Sequence, residues 1–153
     1  MQLRLASVSE AATLVALINA AFQVEKFFID EDRIDLSKVR AFFRTGCFLV
    51  AEEAGKLAAC VYVEQRGLRG YFGLLSVDPA RQKSGLGKTL VQAAERYCRA
   101  LGCGAMDLQV VNLRQELPAF YQRLGYAESG RGPFPAGVVT KLPCYFVRMS
   151  KPL

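Results

Sequence analysis

Tyr71-Phe72-Gly73-Leu74-Leu75-Ser76-Val77-Asp78-Pro79, continued by Ala80-Arg81-Gln82-Lys83-Ser84-Gly85-Leu86-Gly87-Lys88-Thr89, is the stretch that decides the fold. Tyr71 to Val77 is an apolar run of strand length. Asp78-Pro79 stops it, because proline cannot donate to a ladder and marks a turn. Behind the glycines the period becomes helical. Leu86, Leu90, Ala93, Ala94, Tyr97 and Leu101 are expected on one face, and Lys88, Gln92, Glu95, Arg96 and Arg99 on the other. Gly102 and Gly104 supply the stop. A tight loop between a strand and a helix start presents unpaired backbone N–H groups at the positive end of the helix, which suits an anion. Glycine at 85 and 87 lets a phosphate approach without a Cβ in the way. Gln82, Lys83, Ser84, Gly85, Leu86, Gly87 and Lys88 are therefore expected to bind a phosphate group, a pyrophosphate above all. Arg81, Lys83 and Lys88 add positive charge.

Three phosphate motifs compete for these letters. Gly87-Lys88-Thr89 suits the end of a P-loop, but that motif needs glycine where Gln82 stands. Gly85-Leu86-Gly87 opens a dinucleotide fingerprint whose third glycine is replaced by Leu90. The pattern Q/R-x-x-G-x-G/A after a strand ending in Val77-Asp78-Pro79 fits every position. On these residues the chain resembles the GNAT superfamily of N-acetyltransferases. Phe120-Tyr121-Gln122-Arg123-Leu124-Gly125-Tyr126 is similar to the second signature of that family, F/L-Y-x-x-L-G-F/Y.

Composition sets the frame. At 153 residues the chain reads as one domain, 1–153, with a core of its own. Hydrophobic residues make up 52% and charged residues 22%, so it should fold. The net charge of +6 contains no run of consecutive Lys or Arg, and a basic surface suits a polyanionic cofactor better than nucleic acid. The five cysteines form no Cys-x-x-Cys, and there is no histidine, so no metal site is expected. No stretch reaches membrane-spanning length and no leader pattern is present. We expect no membrane partner, reduced thiols and a cytoplasmic setting.

In order, Leu3-Arg4-Leu5 reads as a short strand. Ser7-Val8-Ser9-Glu10 reads as a capping box before a helix carrying Leu14, Leu17, Ile18, Ala21 and Phe22. Asp35 or Ser37 starts a second helix with Val39, Phe42 and Phe43, ended by Gly46. Strands follow at about 47–53, 57–65 and 71–77, joined by short turns that suit antiparallel hairpins. After the glycine loop and its helix, 105–111 is a fifth strand, parallel to the fourth because a helix crosses between them. Residues 114–124 form a helix with Pro118 in its first turn. Strands at 126–129 and 144–150 enclose a Gly- and Pro-rich loop, Gly130 to Pro143.

The expected fold is therefore α/β (α+β): a mixed, mostly antiparallel seven-stranded sheet flanked by about four helices, with strands four and five parallel. This order is that of the GNAT fold. The resemblance implies that strands four and five splay apart beyond Val77. It implies acetyl-CoA as cosubstrate, with its pyrophosphate on Gln82 to Lys88 and its pantetheine arm beside Leu75, Ser76 and Val77. A backbone N–H near Leu75 would serve as an oxyanion donor. Asn112 resembles an asparagine that contacts the arm. Tyr121 matches the tyrosine that protonates the departing thiolate. The expected activity is direct transfer of an acetyl group to a primary amine on a small molecule or peptide, by a monomer or homodimer. The strand-four glutamate used as base by some relatives is missing near Tyr71; with no histidine, a carboxylate, a tyrosine or an ordered water must serve, and Glu64 is the best remaining candidate. Phe27, Phe28 and Phe134 are expected to wall the acceptor pocket, with Arg131 and Lys141 favouring an amine that also carries a carboxylate or an apolar group. A covalent cysteine route ranks below direct attack, since no cysteine has a histidine partner. A silent CoA-binding sensor of the same fold, and a P-loop nucleotidase, are the rival readings.

Overall fold

The computed structural model describes residues 1–153. The chain runs β1 (Gln2–Leu5), α1 (Ala11–Ala21), α2 (Leu36–Thr45), β2 (Cys47–Glu53), β3 (Lys56–Arg66), β4 (Arg69–Val77), α3 (Leu86–Ala100), β5 (Ala105–Val111), α4 (Glu116–Arg123), β6 (Ala127–Pro133) and β7 (Tyr145–Pro152). Single 3₁₀ turns sit at Val8–Glu10, Phe22–Glu25 and Pro79–Arg81. The seven strands form one sheet in the order β1-β2-β3-β4-β5-β7-β6. Every neighbouring pair is antiparallel except β4 and β5. This is the mixed sheet and the four helices that the sequence predicts.

Local chemistry sets the element ends. Glu10 accepts the Ser7 N–H at 2.9 Å and pairs with Arg4, whose hydrogen bonds push its carboxyl down to about 2. The Ser7 hydroxyl meets Ser9 Oγ. At α2, Asp35 is the cap and accepts the Lys38 N–H at 2.8 Å. Gly46 ends that helix where a Cβ would lie 2.3 Å from the Val63 carbonyl oxygen.

The sheet has two apolar faces. On one lie α3 and α4, around Leu86, Leu90, Val91, Ala94, Cys98, Phe72, Leu108, Tyr121 and Tyr126. On the other lie α1 and α2, around Leu14, Leu17, Ile18, Ile34, Val39, Phe48 and Tyr62. An irregularity in β4 decides which side chains go where. Cys60 pairs with Ser76 but Tyr62 pairs with Gly73, so β4 carries one residue more than β3 across this bulge. Leu74 absorbs the extra residue at φ +55. Strict alternation would put Phe72 and Leu74 together. Instead Tyr71 and Leu74 join the α1/α2 face, while Phe72, Leu75 and Val77 join the α3/α4 face.

Two expectations need correction. The buried stripe of α3 is Leu86, Leu90, Val91, Ala94 and Cys98, whereas Leu101 is 45% exposed. The stripe is turned toward Val91 and Cys98, and it carries Glu95 inside rather than on the solvent face. Glu95 accepts from the Tyr126 hydroxyl at 2.8 Å and from Lys151 Nζ at 3.1 Å. A buried carboxylate with both partners in place behaves as a core residue. The other correction is β6, which extends to Pro133 along β7 instead of ending at Ser129. Pro133 is tolerated because β6 is the sheet edge. The loop before β7 is thus shorter than the Gly and Pro content predicts. Replacing Glu95 with Ala should strand Tyr126 Oη and Lys151 Nζ and cost on the order of 2 kcal/mol. Urea melts of the two proteins would measure it, and an unchanged midpoint would show that the network is not stabilising.

Candidate active site

The ladder between β4 and β5 lasts only from Arg69–Ala105 to Tyr71–Asp107. Beyond Tyr71 the strands part, well before Val77, where the splay was expected. Arg69 donates to both Asp107 oxygens, at 2.8 and 2.7 Å, and Ser150 Oγ adds a third bond at 2.6 Å, so the base of the fork is fastened. The fork opens into a cleft of about 1210 Å³. Leu75, Val77 and residues 82–88 line one part, and Leu108, Gln109, Val110, Phe120 and Tyr121 another. Phe22, Val24, Ile29, Arg33, Arg114, Phe134 and Val138 line the remainder, under the segment that joins α1 to α2.

The glycine loop behaves as its letters imply. No backbone N–H from Gln82 to Lys88 finds an acceptor within the chain. Gly85 takes φ +82 at the helix cap and Lys83 φ +66, so consecutive amides turn outward together. Lys83 and Lys88 have no carboxylate within salt-bridge range, but Arg81 is taken by Glu53. The arrangement can hold a multiply charged phosphate by amides, helix end and two free ammonium groups. Thr89 Oγ1 donates to the Gly85 carbonyl at 3.0 Å, a bond within the first turn of α3. A Cβ on Gly87 would face Phe120, Leu75 and Val77 at 3.6–4.0 Å, so this glycine opens the cleft wall.

Tyr121 is 5% exposed, with its ring against Phe72, Phe120 and Tyr126. Burial pushes its phenol well above the ordinary range, against the pull of the Arg114 charge. The hydroxyl makes no hydrogen bond within the chain and is not sealed from the cleft. A phenol in that state is a proton donor without a competing partner.

Several sequence-predicted residues stand elsewhere. Ser76 is buried and its hydroxyl turns back onto the Leu74 carbonyl at 2.9 Å, which leaves only its backbone beside the fork. Asn112 does not line the cleft. Its N–H donates to the Tyr145 carbonyl and its Oδ1 accepts the Tyr145 N–H, both at 2.9 Å, which clamps the end of β5 to β7. Glu64 is also outside the cleft. Burial draws its carboxyl upward, but hydrogen bonds from Arg66 and Tyr62 outweigh this and hold it below the ordinary range, which makes it a poor base. Phe28 is fully buried and Phe27 stacks edge-on against it outside the cleft, so their neighbours Phe22, Val24 and Ile29 form the wall. Phe134 does line the cleft, packed on Phe146. Arg131 lies over the Tyr145 ring and beside Glu128, away from it. Lys141 pairs with Asp30 at 2.8 Å, and its N–H donates to the Phe28 carbonyl at 2.7 Å, which ties the loop before β7 to the α1–α2 segment. No cysteine lines the cleft, and burial pushes the Cys60 and Cys98 thiols up to about 12, so no thiolate is available there.

The acetyltransferase (GNAT) family profile matches residues 13–126, from within α1 through α4. The chain belongs to this family. Among GNAT relatives it is 30% identical over 90 residues to a mycothiol acetyltransferase of Propionibacterium freudenreichii, a match covering 56% of this chain and 29% of that protein. It is 29% identical over 89 residues to the IAA acetyltransferase of Azospirillum brasilense, 57% of each. The chain thus spans well under two thirds of the curated relatives it matches. The fold is similar to the ribosomal-protein-S18-alanine N-acetyltransferase of Escherichia coli, with TM-score 0.79, 15% identity and 99% and 92% of the two chains covered. It is similar also to yncA of Salmonella typhimurium, solved with its cofactor acetyl-CoA, with TM-score 0.75, 20% identity and 100% and 94% covered.

Two charged residues that meet in the cleft carry no signal in the sequence. Glu25, 8% exposed, meets Arg114 at 3.0 Å. They lie far apart in the chain and neither belongs to a motif, so periodicity had no signal for them. If Asn112 is a strand clamp, Asn112→Ala should lower the urea midpoint while CoA affinity stays within about twofold. An equal loss of CoA affinity, measured by calorimetry, would restore the ligand-contact role.

Proposed function

We propose that this protein is an N-acetyltransferase that moves the acetyl group of acetyl-CoA to a primary amine by direct attack. The observation that carries the reading is the meeting of three features in one cleft: the unpaired amides of Gln82 to Lys88, the unpaired β4 edge beyond Tyr71, and the free Tyr121 hydroxyl. Acetyl-CoA, when bound, supplies an acyl group on a good leaving thiol. The residues present fit its parts. The loop amides with Lys83 and Lys88 suit the pyrophosphate. The open edge along Leu75 and Val77 suits the amide-bearing arm, which can pair as an added strand. Tyr121 stands in the same cleft to give its proton to the sulfur. The backbone near Leu75, turned by the bulge, offers the N–H for the carbonyl oxygen.

The acceptor half is bounded by Phe22, Val24, Ile29, Phe134, Pro135 and Val138. These walls favour an amine on an apolar group. Arg131 and Lys141 no longer supply a carboxylate site. Arg33 takes that place: it lies over the Phe22 ring at 5.4 Å with no carboxylate within salt-bridge range. An amino acid or a peptide end therefore still fits, through a different cation. Thermal melts with acetyl-CoA, CoA, ATP and NAD test the first step. Acetyl-CoA and CoA should raise the melting temperature and the nucleotides should do so far less. Equal stabilisation by ATP would overturn the assignment of the loop. Tyr121→Phe keeps the ring and its packing and removes the proton. Turnover should fall roughly a hundredfold with acetyl-CoA affinity retained. Wild-type rates with chemistry limiting would remove Tyr121 from the catalytic residues.

A further inference from the structure

We propose that Glu25 is the residue that takes the proton from the acceptor ammonium, held in place by Arg114. This rests on the acetyltransferase reading and names the group that makes its nucleophile. An alkylammonium has a pKa of about 10.4, so nearly all of the acceptor arrives protonated at neutral pH. The protein has no histidine, so the carboxylates of the cleft are the side chains to compare for this task.

The cleft offers Glu25, Glu31, Asp32 and Glu116. Glu31 and Asp32 are exposed at the rim, and Asp32 is paired with Lys26 at 3.1 Å. Glu116 is exposed and lies against Arg114 Nε. Glu25 alone is buried. Only its Oε2 is engaged, by Arg114 Nη1, and Oε1 accepts no hydrogen bond from the chain. Its backbone is fixed, since its carbonyl accepts the N–H groups of Phe28 and Ile29 at 3.1 Å. The segment around it is pinned at its far end by Asn19, whose side chain brackets Ile34 with two bonds of 3.0 Å. Arg114 joins the two halves of the chemistry, because it touches Glu25 and its charge is felt by the Tyr121 phenol.

The charged groups facing Glu25 are Arg33 on the α1–α2 segment, and Arg114 and Glu116 at the start of α4. Burial raises the Glu25 carboxyl above its ordinary value, Arg114 and Arg33 oppose this, and Glu116 adds to it. A raised carboxylate is a stronger base, and it is ionised only above its elevated pKa. The overall transfer turns one ammonium and one thioester into an amide, a thiol and one proton. In the proposed step an N–H bond of the ammonium breaks, an O–H bond forms at Glu25 Oε1, and the nitrogen keeps the electron pair. Glu25 then passes this proton to water at the cleft mouth.

The test uses the intact protein with acetyl-CoA and 2-phenylethylamine, n-hexylamine and L-phenylalaninamide as acceptors, read by thiol release between about pH 6 and 9. Glu25→Gln should lower kcat/KM roughly a hundredfold or more near pH 7 and leave CoA affinity within about twofold. With 2-phenylethylamine and n-hexylamine the deficit should shrink about tenfold per pH unit, because only amine already neutral in solution can react; with L-phenylalaninamide, whose α-amine ionises at about pH 8 or below, it should level off at the alkaline end. Glu25→Asp should recover part of the loss. Arg114→Gln removes a cation that favours the carboxylate, so the acidic limb of the profile should move to higher pH. This variant also keeps the proposal testable if Glu25→Gln does not fold. Wild-type kcat/KM in Glu25→Gln, a deficit that does not change with pH, or an unmoved limb in Arg114→Gln would overturn the role of Glu25 and leave the acetyltransferase reading intact. No thiol release from the wild-type protein with bound acetyl-CoA would overturn both.

Discussion

The end of the β4–β5 ladder at Tyr71–Asp107 is the constraint on which the rest of the structure depends. Each strand keeps a full partner on its other side, β3 for β4 and β7 for β5, so the sheet survives the split. The bidentate Arg69–Asp107 pair closes the fork at its base, and Arg69 together with Ser150 holds the Asp107 carboxyl below the ordinary range against the effect of burial. Above that point nothing in the backbone links the two halves. Side chains do so instead: Phe72 of β4 meets Tyr121 of α4 and Tyr126, and α3 packs across β2, β3 and β4. Unpaired strand edges inside a domain are costly unless water or a ligand with amide groups meets them. The fork is therefore a place where a ligand with amide groups could complete a ladder that folding leaves open.

The bulge at Leu74 makes this opening specific. The shift sends Tyr71 toward the α1–α2 side and Phe72 toward α4, and it aims Leu75 and Val77 at the α3/α4 side. Tyr71 runs along its own strand. A Cβ at Gly73 would come within 2.9 Å of its hydroxyl, so Gly73 is what gives the ring its lane beside the fork. Arg66 covers the same ring at 3.9 Å. One residue of extra chain thus fixes the neighbours of the cleft on both faces of the sheet. Its strained φ is the mark of a site held by its surroundings.

The parts that were legible in the sequence are those governed by short-range rules. Proline after the strand, glycines before the helix and period-two or helical spacing placed every strand and helix within a few residues. The loop from Gln82 to Lys88 and Tyr121 stand out as candidates in the sequence because their letters are fixed by local geometry, and the structure brings them to one cleft. What failed depended on distant partners. Glu95 looked solvent-facing because its carboxylate is satisfied by Tyr126 and Lys151, which lie on the last quarter of the chain. Gly130 to Pro133 looked like loop because glycine and proline are poor central-strand residues, and an edge strand accepts them. Phe27 and Phe28 were near the cleft in sequence but turn away from it. Arg131 and Lys141 were read as free cations although Tyr145, Glu128 and Asp30 engage them. The lack of a histidine favours Glu64 in the sequence, but Arg66 and Tyr62 hold its carboxyl outside the cleft.

A surplus of +6 could lie anywhere on the surface, and four cations in or around the cleft are neutralised where they stand: Arg81 by Glu53, Lys26 by Asp32, Lys141 by Asp30, and Arg114 by Glu25 and Glu116. Lys83 and Lys88 are left unpaired at the loop end, where a polyanion would sit. On the other side Arg114 is outnumbered by its two carboxylates, while Arg33 over the Phe22 ring stays unpaired. A polyanion would therefore meet unpaired cations at the loop, whereas an amine that also carries a carboxylate would meet both of its complements on the other side.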